Sequence, residues 1–294
     1  MKNRLLLVCT LFVSTIFLGG CTKSDEDETT LTNSEEESAT GVDTPPMSDM
    51  RIAFLGGSQC MHGFKSTSSF QSESFPLKDK VMERFGLKEG NLEVVAMEGA
   101  GAARPEFSNS GTMNLCRQAL MLTQRKACDV YVIWLQSNDY TGSGNMMYPA
   151  AIGNVTDGPS SEDVRNDRET FYGGLNYSIN TLRAKNPQAR ILLISPTRCI
   201  LHYYLEGDRG YLVGERTEGG EETLYIYVKA FHDYADYHHL PFLDLFVDTD
   251  FNLGGKVHEE ARAIWLQHHT DGTHLNAAGY AVLADKIVNF IAGE

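Results

Sequence analysis

The chain has 294 residues and a hydrophobic fraction of 42%, enough for one large domain or two small ones with a sizeable core. Its formal net charge of −14 at pH 7 divides into +2 on residues 1–20, −8 on residues 22–50 and −8 on the remainder. Such an acidic surface repels nucleic acid and the headgroups of anionic lipids, so we expect neither as a partner.

Residues 1–20 have the pattern of a secretory signal peptide. Lys2 and Arg4 precede an apolar run at residues 5–18, which is too short for an ordinary membrane span. The segment ends in "LGGC", which is similar to a bacterial lipobox. This resemblance implies cleavage before Cys21 and lipidation of that cysteine, so that lipid and not a helix anchors the mature protein. A plain signal peptide with a chance cysteine is the alternative.

The second predicted segment, residues 21–50, is the lipidated Cys21 followed by an acidic tether. Residues 22–50 hold nine acidic residues, one lysine and almost no large apolar side chains, so they cannot bury enough surface to fold. As a coil they would hold the domain on the order of 30 Å from the membrane. An acidic run behind a lipidated cysteine resembles the surface-export signals of Bacteroidetes lipoproteins. We therefore expect an outer-membrane or cell-surface location, with a periplasm-facing orientation as the alternative.

The third segment, residues 51–294, alternates short apolar runs with helix-like stretches. The apolar runs are near-continuous, as in strands covered by helices on both faces of a parallel sheet: "RIAFLG", "LEVVAM", "DVYVIWLQ", "ARILLISP" and "PFLDLF". Helical patterns lie at residues 77–85, 112–126, 168–185, 222–239 and 276–291. This order predicts one α/β domain, a three-layer α/β/α sandwich around a central parallel five-stranded sheet. Two long loops, 140–166 and 200–220, are candidates for substrate contacts.

Residues suited to catalysis follow the predicted strands. In open parallel sheets, functional side chains lie beyond the carboxyl ends of the strands. Ser58 follows the first strand, "EGAG" (98–101) the second and "QSND" (136–139) the third, while "DGTHLN" (271–276) opens the last helix.

A serine hydroxyl needs a neighbouring base to become a nucleophile, and the base needs a third group to hold its tautomer. Ser58, His274 and Asp271 supply these three roles, since the Asp271–His274 spacing lets the carboxylate reach Nδ1. The backbone N–H of Ser58, the N–H of Gly101 and the side-chain amide of Asn138 are the predicted oxyanion donors.

The stretches "FLGGS", "EGAG", "SND" and "DGTHLNAAGY" resemble, in order, the four blocks of the SGNH (GDSL-like) hydrolase superfamily, from about Met50 to the C-terminus. The resemblance implies a flavodoxin-like fold and ester hydrolysis through an acyl-serine, with no metal or other cofactor. It assigns Ser58, His274 and Asp271 to the triad and Ser58, Gly101 and Asn138 to the oxyanion hole. Gly99 replaces Gly101 if the glycine block is shifted by two residues.

The blocks depart from the family pattern in three places. The first reads Gly-Gly-Ser where Gly-Asp-Ser is usual. In the third, Gln136 stands where glycine is usual and could narrow the acyl pocket. The second lacks the usual asparagine, with Ala96 or Met97 in its neighbourhood.

Other motifs are weaker. "GSQCMHGFKS" fails the phosphate-loop spacing because Phe64 separates the glycine from the lysine, and "GAGAAR" lacks the third glycine of a dinucleotide fingerprint. Cys60 stands where a GxSxG elbow needs glycine. The histidines show no HExxH spacing, including His232, His238, His239, His268 and His269.

Four cysteines remain in the domain: Cys60, Cys116, Cys128 and Cys199. They lack CxxC spacing, which argues against structural zinc, while an oxidising compartment permits disulfides whose pairing stays open.

These features predict a monomeric, lipid-anchored serine esterase. An acidic, tethered domain fits a soluble polymer better than a membrane lipid, so we expect removal of acetyl or other short acyl groups from a small molecule or a polysaccharide. Lipase, thioesterase or arylesterase activity is an alternative. A non-catalytic glycan-binding lipoprotein and a structural surface protein are alternatives of another class.

Overall fold

The structure is a computed structural model that describes nine stretches of the chain: residues 49–67, 71–103, 114–135, 138–141, 150–156, 170–197, 223–246, 267–270 and 274–294. The predicted signal peptide, Cys21 and all but the end of the predicted tether lie outside these stretches, as do most of the two long loops. Their assignments remain predictions. No helix among the described residues is both long enough and apolar enough to cross a membrane.

The described residues form five strands and seven helices. The strands are β1 (Ile52–Gly56), β2 (Leu92–Val94), β3 (Val130–Trp134), β4 (Arg190–Ile194) and β5 (Phe242–Leu243). The helices are α1 (Ser58–His62), α2 (Pro76–Arg84), α3 (Leu115–Thr123), α4 (Asn138–Thr141), α5 (Phe171–Lys185), α6 (Thr223–Tyr237) and α7 (Ala277–Ala292).

All five strands pair in parallel, in the order β2-β1-β3-β4-β5. This is the doubly wound order of flavodoxin-like folds, and it confirms the fold predicted from the alternating apolar runs. β1 and β3 lie side by side with Gly56 opposite Trp134, so the residues after both strands emerge next to each other at one edge of the sheet.

Each face of the sheet carries its own apolar core because successive strand residues point to opposite faces. In β1, Ile52 and Phe54 face the core formed with α2 and α7, whereas Ala53 and Leu55 face the core formed with α3, α5 and α6. All five β1 residues are buried. Burying a side chain such as Leu55 stabilises the fold by about 1.5–3 kcal/mol.

The helices α5 and α7 begin at residues other than those predicted, because side-chain caps determine where they start. Thr170 has an extended backbone and its hydroxyl accepts a hydrogen bond from Gly173 N at 3.0 Å, so α5 begins at Phe171 rather than at residue 168. Asn276 caps α7 in the same way by accepting from Gly279 N at 3.0 Å. The helix therefore begins one residue later than predicted, directly after the "DGTHLN" stretch.

The edge strands are shorter than the apolar runs that predicted them. β2 keeps three of the six residues of "LEVVAM", and β5 keeps two of "PFLDLF". The rest of the second run continues past the sheet edge as the loop that contains "EGAG".

Candidate active site

The end of β1 requires glycine at position 56, because any side chain there would displace the neighbouring backbone of Trp134. Gly56 has φ +135°, and a Cβ there would lie 1.9 Å from the backbone oxygen of Trp134. The buried Gln118 side chain of α3 pairs with both backbone polar groups of this residue, accepting from Gly56 N at 2.7 Å and donating to Gly56 O at 3.0 Å. This pairing fixes the direction in which the chain leaves the sheet.

Gly57 then turns the chain into α1. It is the N-cap of that helix, with an extended backbone, and its N–H donates to Trp134 O at 3.2 Å. Ser58 is thus the first residue of α1, just beyond the carboxyl end of β1. Its exposed fraction is 3%.

His274 lies against Ser58. Its Nε2 is 2.9 Å from Ser58 Oγ, a hydrogen-bond distance. The backbone of His274 is held by the segment that precedes it, because Thr270 N donates to His274 O at 2.8 Å and Leu275 forms an isolated bridge with His269. The structure therefore brings together two of the three predicted triad residues, from opposite ends of the domain. The third, Asp271, lies outside the described residues.

Asn138 and Gly101 belong to one hydrogen-bonded unit. Asn138 opens α4, and its Nδ2 donates to Ala100 O at 2.9 Å. A Cβ on Gly101 would lie 2.6 Å from the Asp139 carboxylate, so only glycine fits there. Gly99, the alternative glycine, likewise has a backbone that suits glycine, since its φ is +69°. The roles of Gly101, Asn138 and the Ser58 N–H as donors remain predictions.

Asp139 belongs to the same hydrogen-bonded unit, although the sequence analysis assigned it no role. Its carboxylate is 3% exposed and accepts from Ala102 N at 2.9 Å and from Ala103 N at 2.8 Å. Two charge-assisted bonds to consecutive backbone N–H groups hold the loop that carries Gly101. No sequence motif marks a bond to a backbone N–H more than thirty residues away.

Two further polar side chains stand beside the Ser58–His274 pair. The His62 ring lies 4.9 Å from the His274 ring, and His62 Nε2 is 3.1 Å from Glu98 Oε1. The sequence analysis did not assign His62 to the site, because a five-residue helix shows too little periodicity to predict α1. The spacing of four from Ser58 is the signal that would have found it.

Cys60 is part of the core and not of a disulfide. Cys60, Cys116 and Cys128 are all buried, while Cys199 lies outside the described residues. Burial raises the pKa of the Cys60 thiol strongly, which keeps it in the unreactive protonated form despite its position two residues after Ser58. Within the described ranges, no three His, Cys, Asp or Glu side chains gather into a metal-binding group.

Comparison with known proteins agrees with this architecture. The structure of a protein from Lactobacillus plantarum superposes with a TM-score of 0.57 at 17% identity, over 84% of this chain and 98% of that one. The native aryl esterase of M. smegmatis superposes with a TM-score of 0.51 at 14% identity, over 83% of this chain and 99% of that one. At these identities the likeness shows a shared fold. No curated protein matches the chain in sequence.

A family model does match, over residues 55–282, and it describes GDSL-like lipases and acylhydrolases. The matched range runs from the end of β1 into α7. It contains Ser58, Asn138 and His274 and the other four strands of the sheet. The chain belongs to the GDSL-like lipase/acylhydrolase family.

Proposed function

We propose that this chain is a serine esterase that hydrolyses short acyl esters, acetyl esters of a glycan above all. The observation that carries the proposal is the 2.9 Å contact between Ser58 Oγ and His274 Nε2 at the carboxyl edge of the sheet. Membership of an acylhydrolase family supports the reaction class.

Acylation follows from this contact. Ser58 gives its proton to His274 Nε2 and attacks the ester carbonyl, and the oxygen of the tetrahedral intermediate takes up the negative charge. Donors from the Asn138–Gly101 unit and the Ser58 N–H would stabilise that charge. When the intermediate collapses, the alcohol leaves with the proton from His274 and the acyl group stays on Ser58.

Deacylation repeats the sequence with water. His274 takes a proton from water, the resulting hydroxide attacks the acyl-serine, and Ser58 leaves with the proton while the free acid is released. Asp271 would hold the His274 tautomer throughout. No step uses a metal, so we expect EDTA to leave the rate unchanged. Loss of activity in EDTA that added zinc restores would contradict this mechanism.

The glycan target is supported by the acidic domain and the predicted lipid anchor and tether. An anchored enzyme with a net charge of −8 on its domain meets soluble or cell-wall polymers more readily than anionic membrane lipids. The partner would then be an acylated polysaccharide or a smaller acylated sugar, and the location the outer membrane or cell surface.

The test measures hydrolysis of p-nitrophenyl acetate and of acetylated xylan by the whole chain purified in detergent. We expect Ser58→Ala to lower kcat by about three orders of magnitude or more. The matched control is Ser178→Ala, because Ser178 is also buried but donates to Gly174 O within α5. Equal rates for wild type and Ser58→Ala would reject the proposal. Xylan binding without turnover would point to the glycan-binding alternative.

A further inference from the structure

A second imidazole packs against His274. His62 is the last residue of α1 and lies four residues after Ser58, so the two side chains share one face of a single helical turn. The ring centroids of His62 and His274 are 4.9 Å apart with their planes at 49°, and His62 is 2% exposed. His274 therefore meets α1 twice, through its hydrogen bond to Ser58 and through ring contact with His62.

His62 is itself held by a carboxylate. Its Nε2 is 3.1 Å from Glu98 Oε1, and Thr67 Oγ1 donates to the same oxygen at 2.6 Å. A carboxylate oxygen that accepts from two side chains has little freedom to move, although the Glu98 side chain is 40% exposed. The carboxylate also favours the form of His62 that carries a proton on Nε2. Glu98 precedes Gly101 by three residues, so it links α1 to the loop of the predicted oxyanion hole.

Resting on the proposed function, we propose that His62 and Glu98 are positioning residues of the ester hydrolysis. Glu98 orients the His62 ring, and the His62 ring keeps the His274 imidazole turned so that Nε2 faces Ser58. Neither residue exchanges a proton with the substrate.

The proposed reaction needs a fixed orientation of the His274 ring because His274 Nε2 takes part in every proton transfer. His274 Nε2 takes the Ser58 proton, gives it to the leaving alcohol, takes one from water and returns it to Ser58. The second torsion of a histidine side chain has broad minima, so the imidazole turns easily unless packing confines it. A displacement of about 1 Å at a reacting group lowers rates by about a hundredfold. A fixed aromatic neighbour restricts that turn without competing for Nε2.

The following variants test the contact between Glu98 and His62 separately from the contact between His62 and His274. Glu98→Gln keeps the shape of the side chain and removes its charge. His62→Phe keeps a ring beside His274 and cannot donate to Glu98. The double variant tests whether Glu98 acts through His62. His232→Phe is the matched control, because His232 pairs with Asp236 at 3.4 Å on the exposed side of α6 and has no place in the site.

Steady-state kinetics of the full chain on p-nitrophenyl acetate give the first readout. We expect each single variant to lower kcat by about tenfold, as for outer partners of reacting groups, with KM changed by less than about twofold. The double variant should lose no more than His62→Phe alone, because the two residues act in series. The control should match wild type. Unchanged kcat, additive losses, or a raised KM at constant kcat in Glu98→Gln would overturn the inference.

Imidazole NMR gives a second readout that needs no turnover. The Cε1–H resonance of His274, assigned by its absence in His274→Asn, should shift or broaden in Glu98→Gln and stay in place in His232→Phe. An unchanged resonance in Glu98→Gln would overturn the inference even if His62→Phe failed to fold. If the proposed function itself failed, wild type and Ser58→Ala would hydrolyse the ester equally, and the resonance would still decide the positioning role.

Discussion

A methyl group at Gly56 would collide with the neighbouring strand β3. The first position of "GGS" therefore requires glycine for packing as well as for the turn. Its φ of +135° lies in a region that L side chains rarely adopt, and the space for a Cβ is occupied by the Trp134 carbonyl. The residue that precedes Ser58 by two positions thus governs where the serine stands.

We expect Gly56→Ala to destabilise the protein by about 3 kcal/mol or more, since backbone strain and overpacking add. Gly86→Ala is the control, because Gly86 also has a positive φ, +55°, but no atom within 4 Å of the added Cβ. It should cost only about 1–2 kcal/mol, the price of the left-handed backbone alone. Urea unfolding measures both free energies. Equal losses would show that the Trp134 carbonyl moves aside freely.

The buried thiols give the stability a dependence on alkaline pH. Burial raises the pKa of the Cys128 thiol from 9.0 to about 11, so in the folded state it stays protonated while the unfolded chain ionises. A raised pKa of an acid group means that its contribution to stability is present below pH 9 and is lost as the pH rises towards 11.

We therefore expect the free energy of unfolding to fall between pH 9 and pH 11, and to fall less steeply in Cys128→Ala. Urea titrations at a series of pH values measure the slope for each protein. Identical slopes for wild type and variant would show that Cys128 binds no extra proton in the native state. Tyr172, whose hydroxyl pKa burial also raises, contributes equally to both slopes.

At the scale of elements, the shortest helices hold the site together. α4 has four residues, yet its first two, Asn138 and Asp139, tie the loop after β2 to the loop after β3. α1 has five residues and carries both Ser58 and His62. The long helices cover the sheet, whereas these two single turns set distances between reacting groups.

Asp139→Asn should lower kcat on p-nitrophenyl acetate by about tenfold or more, because an amide replaces one acceptor oxygen with a donor facing Ala102 N or Ala103 N. The loss is smaller than the hundredfold or more expected for removal of an oxyanion donor itself. Binding of a trifluoromethyl ketone, which resembles the tetrahedral intermediate, should weaken in parallel. Asp129→Asn is the control, since Asp129 accepts a backbone bond from Arg51 N at 2.7 Å just before β3. Equal loss of kcat in both variants would contradict the role of Asp139.

The sequence predicted all five strands and the five long helices, and it left out the single-turn helices α1 and α4. Five apolar runs predict five strands because every residue of β1 and β3 is buried, and that pattern is local. The proximity of Ser58 and His274 followed from the order of the four blocks. The contacts of Asp139 and Glu98 could not be predicted, because their partners lie 30 or more residues away and include backbone groups.

At the scale of the whole molecule, the predicted lipid anchor and the predicted esterase domain occupy separate segments of the chain. The family match begins at residue 55, beyond the predicted signal peptide and the whole of the predicted acidic tether. Lipidation at Cys21 would thus change where the protein resides and leave the site untouched.

We expect Cys21→Ser to move the protein from the membrane fraction to the soluble fraction while kcat on p-nitrophenyl acetate stays the same, because a lost lipid removes the anchor alone. Fractionation with radiolabelled palmitate measures both location and lipid content. The control is Cys116→Ser, which keeps Cys21 and should retain label and membrane association. A Cys21→Ser protein that still carried palmitate and sedimented with membranes would reject the lipobox.

The contact between Ser58 and His274 spans 216 residues of sequence, and α7, which follows His274, is the last helix of the chain. A growing chain therefore cannot pair Ser58 with His274 until residue 274 has been synthesised and has packed against α1. Closing so long a loop comes late in folding. Ester hydrolysis would then be a measure of completed folding of the domain. A chain that ends before His274 would have no esterase activity rather than a reduced one.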